Sequence, residues 1–344
     1  MADEIVPATA VPPTNNRGPD FPQLNTRFTL ALTGATGFVG AALLSHLTDA
    51  GWRVRALYRP RKGRVLPTLP GVEWLPGDLE DKVALGALVA GTHAVIHCAG
   101  AVRGASHDDF DQVNVEGARR VALAAAREAQ APRFLLISSL AAREPKLSHY
   151  AGSKWRGEGI IKAASEDMRW TVLRPPAVFG PGDRELLPLF RCIASGFAPL
   201  PAGANGRFSL IYVEDLASAV VRWLATDAGY GQTFELHDGQ SGGYDWATVL
   251  DIGGRVLRGG GPVRRVPIPV SVLTLAALAN FASARLLRYA PMLTPGKVRE
   301  LTHPNWVCDN SDFSRITGWQ PAFGLEQGLA CIFDKNIKKS QDNL

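Results

Sequence analysis

A short apolar run, Phe28-Thr29-Leu30-Ala31-Leu32, leads straight into a glycine-rich turn, Thr33-Gly34-Ala35-Thr36-Gly37-Phe38-Val39-Gly40. Residues with helical spacing follow and stop at Gly51. A buried strand, a tight turn and a helix in immediate succession leave few folds open. In Gly34-x-x-Gly37-x-x-Gly40 the first glycine permits the turn and the second lets backbone approach a pyrophosphate. The third lets helix and strand pack closely. The helix start adds free N–H groups and a favourable dipole for phosphate. Strand before and helix after are the context this spacing needs to mean dinucleotide binding. Gly34, Thr36, Gly37, Phe38, Val39 and Gly40 are therefore the expected phosphate cradle.

The pattern then repeats. Arg53-Val54-Arg55-Ala56-Leu57-Tyr58, Val72-Glu73-Trp74-Leu75, Ala94-Val95-Ile96-His97-Cys98, Phe134-Leu135-Leu136-Ile137-Ser138 and Trp170-Thr171-Val172-Leu173-Arg174 read as strands, with helical stretches between them. Such alternation predicts an α/β fold, a doubly wound parallel sheet of the Rossmann kind. Beyond Arg174, Pro175, Pro176, Pro181, Pro188, Pro199 and Pro201 break the pattern. Ile211-Tyr212-Val213-Glu214-Asp215 and the helical run after it read as a return to the sheet domain. The expected organisation is a nucleotide domain over 27–182 and about 208–236, with a smaller, interleaved C-terminal substrate lobe over 183–207 and about 237–335. Tails are expected at 1–26 and 336–344.

The bulk numbers narrow the class. With 344 residues, 46% hydrophobic and 20% charged, the chain has ordinary globular composition. The net charge is +5, but no dense Lys/Arg run carries interleaved aromatics, which argues against nucleic acid. Cys98, Cys192, Cys308 and Cys331 are scattered, without a C-x-x-C pair. That speaks against a disulfide framework or a zinc site, predicts no metal, and fits the cytoplasm. The proline-rich start lacks the basic and apolar regions of a secretory signal.

Two further stretches carry chemistry. After the second strand comes Tyr58-Arg59-Pro60-Arg61-Lys62, with no acidic residue. An acid at this point reads as NAD and an arginine as the 2′-phosphate of NADP, so Arg59 favours NADP(H) over NAD(H). In Tyr150-Ala151-Gly152-Ser153-Lys154 the tyrosine and lysine share one helix face. A lysine ammonium near a phenol favours the phenolate, so the pair is expected to move a proton. His97, His107 and His149 read as structural or solvated.

These motifs, with Ser138-Ser139, Arg174-Pro175-Pro176-Ala177-Val178-Phe179-Gly180-Pro181-Gly182 and Tyr212-Val213-Glu214-Asp215-Leu216-Ala217, resemble the extended short-chain dehydrogenase/reductases over about residues 28–225. The resemblance implies an enzyme in which Tyr150 is the proton donor or acceptor and Lys154 lowers its pKa and holds the nicotinamide ribose. It implies that Ser139 hydrogen-bonds the substrate oxygen and that Asn114 lies near the site. It also implies that Asp78 and Leu79 contact adenine, that Ala99, Gly100 and Ala101 form the loop beside the cofactor, and that Pro175 and Val178 lie against the nicotinamide. Many relatives dimerise through the tyrosine helix, which implies a homodimer. Two departures stand out. Only eleven positions separate Ser139 from Tyr150, and Arg174-Pro175-Pro176-Ala177 lacks the asparagine that sugar-nucleotide epimerases carry near here.

Val266 to Ala284 is a run of nineteen residues without a charge, preceded by Arg264 and Arg265 and followed by Arg285 and Arg288. Pro267, Pro269 and Asn280 argue against a membrane span. A helix packed on the substrate lobe and an arginine-flanked interfacial helix both fit, the second giving peripheral membrane contact through about 266–290. The lobe resembles the 3β-hydroxysteroid dehydrogenase and dihydroflavonol reductase branch, whose substrates are hydrophobic. The expected activity is interconversion of a ketone and a secondary alcohol on a small hydrophobic substrate, lipid-, ceramide- or steroid-like. The alternatives are a nucleotide-sugar epimerase or dehydratase, and a non-catalytic assembly protein resembling the respiratory complex I accessory subunit.

Overall fold

The structure, a computed structural model, describes residues 28–341 apart from 64, 165–167, 204 and 288, with side chains as far as 333. The expected N-terminal tail and Arg288 lie outside the described residues.

Seven strands form one parallel sheet: β1 (Thr29–Thr33), β2 (Arg53–Tyr58), β3 (Val72–Pro76), β4 (Ala94–His97), β5 (Arg133–Ile137), β6 (Trp170–Arg174) and, much later, Gln232–Glu235. Their spatial order is β3-β2-β1-β4-β5-β6 with Gln232–Glu235 at the far edge. The chain builds outward from β1 to β3, then restarts on the other side of β1 with β4. Leu30 therefore has Val54 on one side and Ala94 on the other. This reversal opens a crevice above the carboxyl ends of β1 and β4, where ligands bind in doubly wound folds.

Alternation along each strand feeds two cores. Leu30, Leu32, Val54, Ala56, Ala94, Ile96, Leu135 and Ile137 face one side, with α1 (Phe38–Asp49) and a later helix, Val213–Ala225. Ala31, Leu57, Val95, Phe134 and Leu136 face the other, where α2 (Lys82–Val89), α4 (Ala118–Ala126) and α5 (His149–Ala163) pack. Strands buried on both faces are near-continuous apolar runs because neither surface meets water.

A third core, around Phe179, Phe190, Leu200, Tyr212, Tyr244, Val249 and Leu329, holds the C-terminal lobe together. Here the charge-free run divides in two. Arg264–Ile268 pairs as a strand with Phe197–Pro201, and the helix proper is Val270–Leu287. Pro267 and Pro269 sit in and just after a two-stranded edge, where a missing ladder donor is tolerated. The last helix spans Leu325–Gln341, so the backbone of the expected tail from 336 continues it.

Candidate active site

Gly34 closes the turn after β1 at φ +77°, in the left-handed region that favours glycine. A Cβ there would meet the backbone nitrogen of Ala99 at 2.6 Å, so the loops after β1 and β4 touch. A Cβ on Gly40 would stand 2.0 Å from the Gly34 carbonyl oxygen. Gly37 starts α1 with no side chain capping its first turn, and no acidic residue stands in that turn. The free N–H groups and positive dipole end of α1 thus lie at the rim of the crevice. This is the arrangement that binds a pyrophosphate, and the residues present fit a dinucleotide.

The Ala99-Gly100-Ala101 loop is fixed from two sides. The Ala99 N–H donates to Thr33 Oγ1 at 3.2 Å, and Asn114 exchanges two hydrogen bonds with the Ala101 backbone at 2.8 and 3.0 Å. Asn114 Nδ2 also donates to Ser153 Oγ on α5 at 2.9 Å. Asn114 belongs to a six-residue π-helical segment, Gln112–Gly117, inserted between the short helix α3 (His107–Asp111) and α4. Such bulges re-aim single residues and recur at functional sites. Here the bulge brings the Asn114 carbonyl so near α5 that a Cβ on Gly157 would sit 2.3 Å from it. Asn114 is spent on fixing the loop to the tyrosine helix and does not project into the crevice as a free amide.

Ser148 caps α5 by accepting from the Ala151 N–H at 2.9 Å, and Tyr150 follows in the first turn. Ser139 sits just beyond β5, accepts from the Ala141 N–H at 3.2 Å, and lies close enough to the Tyr150 phenol to favour its ionised form. Lys154, one turn on, is buried. Its ammonium donates to the Ile137 carbonyl at 3.2 Å and would lie 3.0 Å from a Cβ on Gly100. The sheet edge therefore gathers the glycine cradle, the Ala99–Ala101 loop, Ser139, Tyr150 and Lys154.

The electrostatics differ from expectation in one respect. Burial pushes the Tyr150 phenol up to about 12, the Ser139 hydroxyl works against that, and the Glu300 carboxylate adds to it. Lys154 is not among the groups that lower it. Its own ammonium is destabilised by burial and turned toward the Ile137 carbonyl and the cofactor loop. Desolvation outweighs the expected attraction, with Lys154 buried and Tyr150 half-buried.

The other expected contacts spread along the same edge. Arg59 is exposed at the end of β2. The Asp78 carboxylate accepts from the Glu80 and Asp81 N–H groups at 2.8 and 3.1 Å, while Leu79 is half-buried. Pro175 is buried and its carbonyl accepts from the Leu140 N–H at 2.8 Å, and Val178 packs at the margin of the sheet core. Phe38 reaches the loop at Gly182. A hollow of about 440 Å³ on α5, lined by Val115, Trp155, Arg156 and Ile160 among others, contains none of these groups.

Several supporting residues are not visible as motifs. Glu158, buried one turn beyond Lys154, accepts from Ser138 Oγ at 2.6 Å and from Arg174 at 2.9 and 2.7 Å. It thereby ties α5 to the ends of β5 and β6. His97 is fully buried with Nδ1 2.8 Å from Thr33 Oγ1, the structural one of the two roles expected for it. Arg103 grips Glu185 at 2.7 and 2.9 Å, joining the loop after β4 to the start of the C-terminal lobe.

Residues 30–236 match the NAD dependent epimerase/dehydratase family. The chain belongs to that family. Its members depend on a nicotinamide nucleotide, and this one is an oxidoreductase or epimerase of the extended short-chain dehydrogenase/reductase superfamily. The chain is 36% identical over 310 residues to the ceramide reductase of Caulobacter vibrioides, covering 90% of this chain and 95% of that protein. It is 30% identical over 210 residues to the mitochondrial NADH dehydrogenase [ubiquinone] 1 alpha subcomplex subunit 9 of Arabidopsis thaliana, covering 59% of this chain and 52% of the subunit. The structure of MoeE5 in complex with UDP-glucuronic acid and NAD aligns with a TM-score of 0.69 at 19% identity, over 91% of this chain and 99% of that one. At that identity the likeness shows the fold, a Rossmann-like α/β architecture.

Proposed function

We propose that this protein is an NADP(H)-dependent reductase of a ketone carried by a lipid-like substrate of the ceramide class. The observation that carries the reading is the convergence of Ser139, Tyr150 and Lys154 at the carboxyl ends of the central strands, with the Lys154 ammonium on the Ile137 carbonyl and beside the Gly100 loop. A nicotinamide held by the Gly34–Gly40 cradle would supply or take the hydride. Ser139 is the donor for the substrate carbonyl oxygen, polarising it and stabilising charge that develops there. Tyr150 gives its proton to that oxygen, so that hydride at carbon and proton at oxygen complete the alcohol. Raised by burial, the phenol is protonated near neutrality, the form from which a general acid gives its proton.

Near end-to-end similarity to a ceramide reductase supports the lipid-like class. The missing asparagine in Arg174-Pro175-Pro176-Ala177 argues against nucleotide sugars. A pure assembly role leaves the Ser139, Tyr150 and Lys154 arrangement without purpose. The test is turnover by the purified protein of long-chain 3-keto-sphingoid and keto-ceramide substrates with NADPH, followed at the nicotinamide absorbance. Tyr150→Phe is expected to lower the rate by about 10²–10⁴-fold with NADPH binding retained. Equal rates in the variant would remove Tyr150 from the chemistry, and no turnover of any ketone would remove the reductase reading.

A further inference from the structure

The helix Val270–Leu287 is eighteen residues long with a mean hydropathy of 1.6, yet only 11% of it is buried. Ala277 and Ala284, seven apart, are its buried residues. They form a narrow small-residue seam against the lobe. Val272, Leu275, Leu278, Leu286 and Leu287 are exposed, Leu275 at 70% and Leu286 at 83%. An apolar face of this extent marks an interaction surface.

Charge identifies what covers it. From Ile252 to Arg299 the sequence holds eight basic residues and no aspartate or glutamate, while the other 296 residues hold 29 basic and 32 acidic. The positive excess of the chain thus falls in this stretch of sequence, in which Arg255 pairs with Asp251 and Glu326 and Lys297 pairs with Glu300. Arg264 and Arg265 are exposed in the strand just before it, and Arg285 lies exposed on it with its guanidinium over Phe281. An apolar helix face flanked by arginines is the pattern of interfacial insertion into anionic lipid.

Both ends of the helix are fastened to the same body. Arg264–Ile268 pairs with Phe197–Pro201 ahead of it. Behind it, Asn280 Nδ2 donates to the Leu293 carbonyl at 2.8 Å and folds the chain back on the helix. A helix of about 27 Å cannot span a bilayer core of about 30 Å with both ends on one side. It lies flat. The next helix, Pro295–Thr302, packs against it and also against the start of α5, where Arg299 Nε donates to the Leu147 carbonyl at 2.7 Å. The apolar face is therefore one helix away from Tyr150.

We propose that Val270–Leu287 docks the protein on an anionic bilayer, its apolar side among the acyl chains and its arginines at the headgroups, presenting the Tyr150 crevice to lipid. The delivery of substrate rests on the reductase reading, whereas the docking does not. Flotation of the full chain with phosphatidylcholine vesicles, with and without a third of phosphatidylglycerol, tests it. Binding is expected with the anionic vesicles, to weaken as salt rises, and to fall about tenfold or more in Arg264→Glu/Arg265→Glu and in Leu275→Asp/Leu278→Asp. Thermal melting and turnover of a water-soluble ketone are expected to be unchanged in both variants. No flotation of the parent protein, or flotation indifferent to both pairs, overturns the proposal. So does light scattering that shows a dimer dissolved by Leu275→Asp/Leu278→Asp, since a second copy then covers the face. Flotation as expected with no ketone turned over retains the docking and rejects the reductase.

Discussion

The Ser148 hydroxyl donates to the carboxylate of Glu300, a residue 152 positions further along the chain. Ser148 caps the helix that carries Tyr150, so this contact joins the C-terminal lobe to that helix. Lys297 Nζ sits 3.0 Å from the other Glu300 oxygen, which holds the carboxylate in place.

That relationship predicts a shift in pH dependence. The Glu300 charge raises the Tyr150 pKa, so neutralising it must lower that pKa. Glu300→Gln keeps an acceptor for Ser148 and removes the charge. The alkaline limb of the kcat/KM profile is expected to move to lower pH, by up to about one unit. Ser148→Ala instead loses the cap and is expected to cost about 1 kcal/mol of stability. A profile that stays put in Glu300→Gln would leave Glu300 as a mechanical tie only.

The glycines divide sharply in what they tolerate. A Cβ on Gly40 would meet the Gly34 carbonyl oxygen at 2.0 Å, backbone against backbone, so α1 has to move. Gly40→Ala is expected to cost about 2–4 kcal/mol and to abolish tight dinucleotide binding, as read by thermal melting with and without NADPH. Gly159, on α5, has nothing within 4 Å of its added Cβ. Gly159→Ala is expected to stabilise the protein by about 0.5–1 kcal/mol and to leave the nucleotide response intact.

What was legible in the sequence is what depends on local spacing. Three glycines in seven residues, and Tyr150 with Lys154 one helical turn apart, announce themselves because the turn and the helix fix their geometry. The six N-terminal strands were readable because apolar runs between turn signals leave little choice. Glu300 was not readable, because it meets Ser148 only through packing of the lobe. Glu158 offered a weak clue as the next residue on the Lys154 face, but its partner Arg174 comes from another strand. The run Val266–Ala284 was visible as apolar, yet its division into strand and helix depended on Phe197–Pro201 being available to pair.

Arg59 makes a prediction about cofactor choice. It stands exposed at the end of β2 with Arg61 and Lys62 nearby and no acidic residue between Tyr58 and Lys62. A guanidinium on the 2′-phosphate is a charge-assisted contact worth about 1.5–3 kcal/mol. Arg59→Ala is expected to weaken NADPH about 10–100-fold while changing NADH little, by titration of nicotinamide fluorescence. An equal loss for both nucleotides would mean that Arg59 serves the loop and not the phosphate.

His97 predicts how the fold fails in acid. Burial, helped by the nearby Lys154 ammonium, depresses it from 6.5 to about 3. A depressed histidine contributes stability that is fully present above its unfolded value of 6.5 and is lost as the pH falls toward 3. The slope reaches about 1.4 kcal/mol per pH unit in that window. Asp215 works in the opposite sense. Burial raises it from 3.8 to about 6, so its contribution is present in acid and is lost as the pH climbs through that range. Both proteins carry Asp215 in a comparison with His97→Gln, so its effect cancels. The amide can still bond Thr33 Oγ1 but does not titrate. Urea unfolding between pH 7 and pH 4.5 is expected to show the parent losing about 2–3 kcal/mol more than the variant over that range. Parallel curves would mean that His97 stays unprotonated in the unfolded chain or takes up its proton while folded.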